Sequence, residues 1–570
     1  MISLQKTLKR TVMFKPNHIL RRTKAERLYT DPNTRLYLED PQPVSQSLEW
    51  RLAERYWHHH GATPFSDGSV PYIVNNSGWA PRAAAEMVLT AAQIVEGPLV
   101  VVEIGAGSGL FAKQALDHIQ EVSTQQELNI YARLTWICTD GSALAVDKWR
   151  SRDQFSCHKD HIVCQVLQAA DFNSLDTTQG TLIGVMINYA LDSLPLEVVN
   201  TNGERLHLQS HICMEQSNLE QWLGLSFTEI QDCIQSSNPE SLDALLPMLN
   251  FLEVTASFQS GVVPYADAAL SAAQTDIAMV NIAAIELLQS IHERLCDGGF
   301  ILINDYGPTT PEAFSNQQFI HRFGGTATGG INFLHLDGLF TKLGSTVFIP
   351  TGDDHRTIHT RLYVRGKGDH FDTPFSNQYS DLRYVQSDRI GLWIRSYIGS
   401  GQYSEALELF ERHLKWCPTD WFQLAQAAQL LMQQFGQVAE ASELVSEAVR
   451  LNPWSSTLVW NIYGSALFST EDYDGAMDAW NTALEIHPED PSTWLNLSYL
   501  YVLRDQKELA LQAIAKGLAY DRNGQLRSAL LHKQAEIIDA GLQFEVAKSD
   551  RSGRRHRTLV DAFKNENNSE

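Results

Sequence analysis

A glycine-rich loop next to a carboxylate is the first part of the sequence that could do chemistry. Gly105, Gly107 and Gly109 follow the apolar run Leu99–Ile104, in which Glu103 is the only acid. Glycines lack a Cβ, so the backbone can approach a ligand closely, and a nearby carboxylate can pair with an amino group. The spacing is G-x-G-x-G, which departs from the G-x-G-x-x-G of dinucleotide-binding loops.

Acidic residues also follow the next two predicted strands. Asp140 ends the run LTWICTD, where an acid can accept hydrogen bonds from both hydroxyls of a ribose. Asp171 and Phe172 follow the third strand, where a carboxylate and an aromatic ring suit an adenine base. A single acid of this kind is typical of a solvated loop. Acids at successive strand ends favour a cofactor site over the alternative, a glycine turn that binds nothing.

The fourth strand supplies candidate groups for the molecule that reacts. Asn188 ends this strand and could hold an acceptor through its amide oxygen, while Asp192 could act as a base or hold a cationic acceptor. An equally weighted interpretation makes Asp192 the N-cap of a helix at Leu194–Val198. Asp305 and Tyr306, after the fifth strand, are second-tier candidates.

The sequence gives little indication of a metal site. His335 and Asp337 are more typical of a loop, and His58–His60 are typical of a helix surface without spaced partner ligands. The seven cysteines form no CxxC pair. We therefore expect no metal and no disulfide framework, as in a reducing compartment.

The elements that must position these residues alternate between short β-rich runs and amphipathic helices from about 50 to 366. This pattern predicts an α/β Rossmann-like domain with a mostly parallel sheet and an antiparallel last strand. The predicted strands are Leu99–Ile104, Leu134–Thr139, Ile162–Leu167, Leu182–Asn188, Phe300–Asp305, Thr346–Pro350 and His359–Arg365. An insertion at about 196–292 opens with a hairpin at Asn202-Gly203 and continues as helices.

The rest of the chain has a different sequence pattern, which repeats every 35 residues and is marked by Pro418, Pro453 and Pro488. Matched small and aromatic positions, such as Gly464 and Trp480, are typical of tetratricopeptide repeats. We predict an all-α solenoid of four units at about 387–523, with a groove for a protein partner. A structural brace or a dimer contact is the alternative role, and the oligomeric state is left open.

The remaining segments are a basic arm and lead-in at 1–49, a linker at 367–386, and a closing helix with a polar tail at 524–570. The net charge of −23 argues against a nucleic-acid partner. No apolar run is long enough for a membrane span. We expect a cytoplasmic protein, with the mitochondrial matrix as the alternative because eight of the first thirty residues are Lys or Arg.

These motifs resemble those of class I S-adenosylmethionine (SAM) methyltransferases, and residues from about 50 to 365 resemble the MidA family. The family's Glu-Leu-Gly-Pro-Gly-x-Gly is similar to Glu103–Gly109, and its Asn-Glu-Phe-x-Asp-Ala-Leu-Pro is similar to Asn188–Pro195. Its Asp-Tyr-Gly matches Asp305–Gly307, and its glycine-rich run ending in His-x-Asp resembles Gly324–Asp337.

The resemblance implies SAM as cofactor and methyl transfer to a protein acceptor, such as the side-chain nitrogen of arginine. The main departures from the family pattern are that Ala106 replaces a proline, Tyr189 replaces an acid, and Ala190 replaces a phenylalanine. If the family acid orients a guanidinium, its loss changes the substrate or removes the activity. Two functions are therefore open, an active protein methyltransferase or a non-catalytic assembly factor that works through its repeats.

Overall fold

The computed structural model describes residues 34–61, 63, 78–315, 319–323, 326–521 and 524–547. Most of the predicted basic arm and the tail after Ala547 lie outside these residues. The chain divides into two compact units, with the boundary between Tyr384 and Val385.

The strands of the described residues form three sheets. In chain order they are β1 Leu36–Tyr37, β2 Gln42–Pro43, β3 Leu99–Ile104, β4 Leu134–Asp140, β5 Ile162–Val166, β6 Thr181–Asn188, β7 Glu197–Asn200, β8 Glu204–Ile212, β9 Leu252–Ser260, β10 Ile277–Val280, β11 Phe300–Asp305, β12 Ile320–Phe323, β13 Thr326–Gly329, β14 Ser345–Phe348 and β15 His359–Arg365.

The α-helices of the first unit lie between these strands and after them. They are α1 Leu48–His60, α2 Trp79–Ala92, α3 Leu110–Gln125, α4 Ala143–Ser151, α5 Gln216–Leu223, α6 Phe227–Gln235, α7 Ala266–Ala273, α8 Ile282–Arg294, α9 Pro311–Ser315, α10 Phe333–Lys342, α11 Asp372–Gln378 and α12 Asp381–Gly399, the last of which crosses the boundary between the units.

The main sheet has the strand order β14-β15-β11-β6-β3-β4-β5. Five neighbouring strands of this sheet, β5, β4, β3, β6 and β11, are parallel to one another. β15 runs antiparallel to both β11 and β14. The predicted parallel sheet with an antiparallel last strand is thus confirmed. Because parallel strands end at one edge, the carboxyl ends of β3, β4, β5, β6 and β11 bring the candidate residues to the same side.

Long apolar runs build this sheet because both of its faces are covered. Every residue of β3 and β11 is buried. Val102, Ile187 and Ile303 from three neighbouring strands share a core with Ile285 of α8 and Phe340 of α10. This core holds the strand ends rigidly beneath the candidate site.

The insertion contains a second sheet that the sequence did not predict. Its opening hairpin is confirmed, since Val199 of β7 lies opposite Arg205 of β8 and Gly203 has the left-handed φ of 76°. The prediction that the remainder is helical is confirmed for α5, α6, α7 and α8, but it was wrong for β9 and β10, since β9 pairs with β8 along its whole length and β10 pairs with β7. The polar-apolar alternation of LEVTASFQS predicts such a half-exposed strand.

The predicted linker at 367–386 contains helical structure. Phe371, Phe375 and Tyr379 are spaced by four residues, so they lie on one face of this segment, and all three are buried. Phe371 packs against Phe300 of β11, with ring centroids 5.5 Å apart. These buried aromatic residues therefore pack the segment onto the first unit, where the sequence predicted a linker.

The second unit is a solenoid of paired helices, as predicted. Its helices after α12 are α13 Tyr403–Trp416, α14 Trp421–Leu430, α15 Val438–Leu451, α16 Thr457–Ser469, α17 Tyr473–Ile486, α18 Pro491–Leu503, α19 Lys507–Tyr520 and α20 Arg527–Ala547. Gly464 lets α16 approach α17, since a Cβ at this position would lie 2.4 Å from Nε1 of Trp480. No helix among the described residues is long and apolar enough to cross a membrane.

Candidate functional site

The glycine loop turns directly from β3 into α3. Gly105, Gly107 and Gly109 have φ values of 70°, 56° and 74°, a left-handed backbone that L side chains rarely adopt. A Cβ on Gly105 would lie 2.9 Å from the methyl group of Ala190, and one on Gly109 would lie 2.7 Å from the ring of Phe155. The three glycines are therefore required for the shape of the loop, independently of any ligand.

Asp140, at the end of β4, holds this loop in place. Its Oδ2 accepts a hydrogen bond from the Gly107 amide at 2.9 Å, and its Oδ1 accepts one from the Ser142 amide at 2.8 Å. Trp149 of α4 completes the support by donating its Nε1–H to the Gly107 carbonyl at 3.1 Å. Asp140 thus lies beside the loop, and its predicted contact with a ribose stays a prediction, while Trp149 carried no motif that could have revealed its role.

Glu103 is the buried carboxyl group of the site, with 2% of its surface exposed. Trp136 donates its Nε1–H to Glu103 Oε2 at 3.3 Å. Burial, with a smaller contribution from the charge of Asp140, raises the pKa of Glu103 to about 8. Burial also raises the pKa of Asp140, to about 6. A cation bound at this position would favour the ionised form of Glu103.

The two residues predicted to contact adenine differ in their surroundings. Asp171 is exposed at the start of a 3₁₀-helix after β5. Phe172 is buried in the main core, with 1% of its surface exposed and the guanidinium of Arg294 5.1 Å from its ring centroid. The prediction that this ring stacks on adenine was wrong, because core packing and Arg294 already cover the ring.

Asn188 ends β6 and is 6% exposed. The sequence predicted that its amide oxygen would hold the acceptor, but this oxygen already accepts a hydrogen bond from Asn304 Nδ2 at 2.8 Å. Thr360 fixes Asn304 in turn by donating to its Oδ1 at 2.7 Å. Asn188 Nδ2 is buried without a hydrogen-bond partner among the described residues, so the group that Asn188 offers is a donor.

Asp192 and Asp305 form a buried carboxyl pair beyond β6 and β11, with 4% and 0% exposure. Asp305 Oδ2 accepts hydrogen bonds from the backbone amides of Leu191 at 3.1 Å and Asp192 at 3.3 Å. Burial raises the pKa of Asp305 to about 7. Burial and then repulsion from Asp305 raise the pKa of Asp192 well above its ordinary value.

The alternative role of Asp192 as a helix cap was wrong. Asp192 lies in a turn before β7, which begins at Glu197 where the helix was expected. Its side chain instead accepts a hydrogen bond from the neighbouring hydroxyl, since Ser193 Oγ donates to Asp192 Oδ1 at 3.1 Å. The burial of Asp192 therefore has no explanation in helix capping.

Tyr189, which stands where the resembling family has an acid, connects the same two strand ends. It has the left-handed φ of 53°, an uncommon conformation for a bulky residue. Its ring lies 5.4 Å from the ring of Tyr306, which follows β11. Ala190 comes next, and its methyl group lies against Gly105, where it fills the position that a Cβ of residue 105 would need. The substituted segment therefore lines the junction between the glycine loop and the carboxyl pair.

The pair His335 and Asp337 does not form a metal site in the described residues. Asp337 accepts hydrogen bonds from Arg361 Nε at 3.0 Å and from the Tyr363 hydroxyl at 2.8 Å. Arg361 also donates to Asp353 at 2.7 Å. Asp337 therefore belongs to a buried ion-pair cluster that stabilises the last two strands.

Comparison with known proteins agrees with this architecture. Residues 83–331 match a family described as "Putative S-adenosyl-L-methionine-dependent methyltransferase". The matched residues lie in the first unit and include the glycine loop and the carboxyl pair, and the cofactor that this match gives is S-adenosyl-L-methionine. No curated protein is similar enough to count as a match.

Solved structures resemble each part of the chain separately. A protein from Burkholderia thailandensis, described as a "likely methyl transferase" and bound to S-adenosyl-homocysteine, is 13% identical. The match covers 58% of this chain and 90% of that chain, with a TM-score of 0.40. MamA is 20% identical over 28% of this chain and 97% of its own, with a TM-score of 0.22. A tetratricopeptide-repeat protein of Thermus thermophilus is 22% identical over 27% of this chain and 82% of its own, with a TM-score of 0.25.

Proposed function

We propose that this protein transfers a methyl group from SAM to a side-chain nitrogen of another protein. The observation that carries the proposal is the buried carboxyl pair Asp192–Asp305. Asp192 belongs to the turn that follows Asn188, and Asp305 ends the neighbouring strand β11. Buried carboxyl groups without a cationic partner are costly even when they accept hydrogen bonds, and such groups concentrate at sites that bind or transfer protons and cations.

The glycine loop and its acids fit the cofactor. In this proposal the backbone of Gly105–Gly109 approaches the methionine part, and Glu103 pairs with the ammonium group of the ligand. Asp140 accepts from the ribose hydroxyls with the lone pairs that the Gly107 and Ser142 amides leave open. Asp171, which is exposed after β5, faces the exocyclic amine of adenine. Phe172 has no role in this site.

Asp192 is the proposed base. SAM supplies an activated methyl group, so a bond from the acceptor nitrogen to the methyl carbon forms as the bond from sulfur to that carbon breaks. Because its pKa is raised, the Asp192 carboxyl group holds a proton when no substrate is bound. A cationic nitrogen that enters the site favours the ionised carboxylate, and the proton is released to solvent. The ionised carboxylate then aligns the nitrogen and accepts the proton that the nitrogen loses.

The donor groups near Asp192 can bind a carbonyl oxygen of the substrate chain, because a cationic nitrogen has no lone pair that could accept a hydrogen bond. Asn188 Nδ2 and the Tyr189 segment lie at the same strand end as the carboxyl pair. The repeats bring the protein substrate through their groove, which is the usual role of such arrays. The seven cysteines, none of them in a disulfide, suit a reducing compartment such as the cytoplasm.

A non-catalytic assembly factor is the second candidate function, and Tyr189 in place of the family acid is the observation that favours it. In that case the first unit binds SAM without transferring its methyl group, and the repeats carry the function. Methylation of a captured partner distinguishes the two candidates.

The test compares Asp192→Asn with Ser193→Ala, a neighbouring variant that keeps the carboxyl group. Partners captured by the full chain are incubated with labelled SAM, and SAM binding is measured by calorimetry. Asp192→Asn should bind SAM as the wild type does and transfer methyl groups about a hundredfold more slowly, the usual effect of losing a positioned base. An unchanged rate would remove Asp192 from the mechanism, and an unmethylated partner with the wild type would support the assembly factor.

A further inference from the structure

A second cluster of reactive side chains lies in the sheet of the insertion. His211 of β8 pairs directly with Glu253 of β9, so their side chains project from the same face. Cys213 lies in the bend directly after β8, two residues beyond His211. The candidate ligand atoms of the three residues all lie within 4.8 Å of one another, and His211 Nε2 is 3.7 Å from Glu253 Oε2.

The imidazole of His211 is unusual because it is buried without hydrogen bonds. It is 2% exposed, and neither ring nitrogen has a hydrogen-bond partner among the described residues. Leaving a buried polar atom unpaired destabilises the fold, so such an atom calls for an explanation. A neutral imidazole is the form that binds metal ions, and a ring nitrogen without a hydrogen-bond partner has its lone pair available for one.

A comparable group elsewhere in the chain shows the contrast. Asp117, Cys157 and His158 are equally close to one another, but their polar atoms are satisfied. His158 contacts the Tyr131 hydroxyl at 2.7 Å and Asp117 at 2.9 Å. Lys113 Nζ donates to Asp117 at 2.7 Å and already supplies the positive charge. These contacts leave no bonding capacity that requires an ion.

We propose that His211, Cys213 and Glu253 bind a Zn²⁺ ion. A thiolate, an imidazole nitrogen and a carboxylate are ligands that zinc accepts in tetrahedral geometry. Bond lengths of about 2.0–2.3 Å would bring the ligand atoms to roughly 3.5 Å from one another, so the cluster must contract by about 1 Å. The Glu253 side chain is 49% exposed, which provides both an entry path and the freedom to contract.

The proposal is independent of methyl transfer, and a metal titration of the full chain tests it. Co²⁺ replaces Zn²⁺ in such sites and gives a thiolate charge-transfer absorption band, which His58–His60 cannot produce because they lack a thiolate. The wild type should bind one equivalent of Co²⁺ with this band, and Zn²⁺ should displace it. Cys213→Ser should abolish the band, whereas the matched control Cys157→Ser should keep it.

Glu253→Gln provides a second variant that is safe for the fold because its side chain is half exposed. Losing one ligand should weaken Zn²⁺ binding by at least about tenfold, since even indirect ligand contacts have effects of that size. SAM affinity should be unchanged in both variants. A band that survives in Cys213→Ser, disappears in Cys157→Ser, or is absent from the wild type would overturn the proposal. If Cys213→Ser fails to fold, unchanged Zn²⁺ affinity in Glu253→Gln would overturn it alone.

Discussion

At the scale of single residues, the buried carboxyl groups make the protein sensitive to pH. The pKa of Glu103 is about 8 in the folded chain against an ordinary 4.5, so the native state keeps a proton that the unfolded state releases. The free energy of unfolding should therefore fall as pH rises between these two values. Glu103→Gln cannot ionise, and its free energy of unfolding should fall less over this window.

Urea unfolding at pH 5.5 and pH 8.5 measures this difference. The matched control is Glu121→Gln, because Glu121 is exposed on α3. The control should follow the wild type at both pH values. Equal pH dependence in Glu103→Gln and the wild type would contradict the role of Glu103 burial.

Gly107 tests the loop at the same scale. Gly107→Val places a branched Cβ at a φ of 56°, next to the amide that binds Asp140. This substitution should cost about 1–3 kcal/mol of stability and abolish SAM binding, because the loop loses the conformation that approaches the ligand. Calorimetry with SAM measures the binding.

The hairpin variant Gly203→Val is the control, since Gly203 has a similar φ of 76° and open space around its Cβ position. It should show a comparable loss of stability with normal SAM affinity. SAM affinity in Gly107→Val equal to that of the wild type would exclude the loop from the cofactor site.

At the scale of elements, close approach between paired helices should limit substitution in the repeats. Gly464→Ala would place a methyl group 2.4 Å from Trp480 Nε1, so α16 and α17 must separate. The cost should be about 1–3 kcal/mol, the usual effect of overpacking. Gly399→Ala has open space and should be tolerated. Thermal unfolding followed by circular dichroism measures both, and equal melting temperatures would refute tight packing at Gly464.

The elements also show where sequence patterns lose information. β9 alternates polar and apolar residues, yet its apolar content and length also suit a helix, and only pairing with β8 decides between them. The segment that contains Phe371 and Phe375 looks like a polar linker by composition. Its few aromatic residues fold it onto β11 because a long-range apolar contact outweighs local polarity.

At the scale of the whole molecule, the repeat region should fold on its own. Four helix pairs at about 387–523, with a closing helix after them, exceed the roughly three repeats needed for a stable stack. Expressed alone, residues 387–547 should be helical, unfold cooperatively and capture the partner of the full chain. Insolubility without the first unit would favour a bracing role over partner recruitment.

The sequence alone determined the features that depend on local pattern. Strand bounds such as Leu99–Ile104 and Phe300–Asp305 agree because buried parallel strands are continuous apolar runs. The repeat region was predicted because its 35-residue period recurs, and the cofactor was implied by the resemblance of Glu103–Gly109 to the methyltransferase loop.

Only the tertiary structure decided which polar groups remain unpaired. Asn304 occupies the amide oxygen of Asn188 from a neighbouring strand, and Arg294 covers Phe172 from a distant helix. Asp192 and Asp305 are 113 residues apart in the chain, yet they share one buried space. The chemical capacity of a side chain depends on which neighbours have already satisfied it, and those neighbours are brought together only by the folded chain.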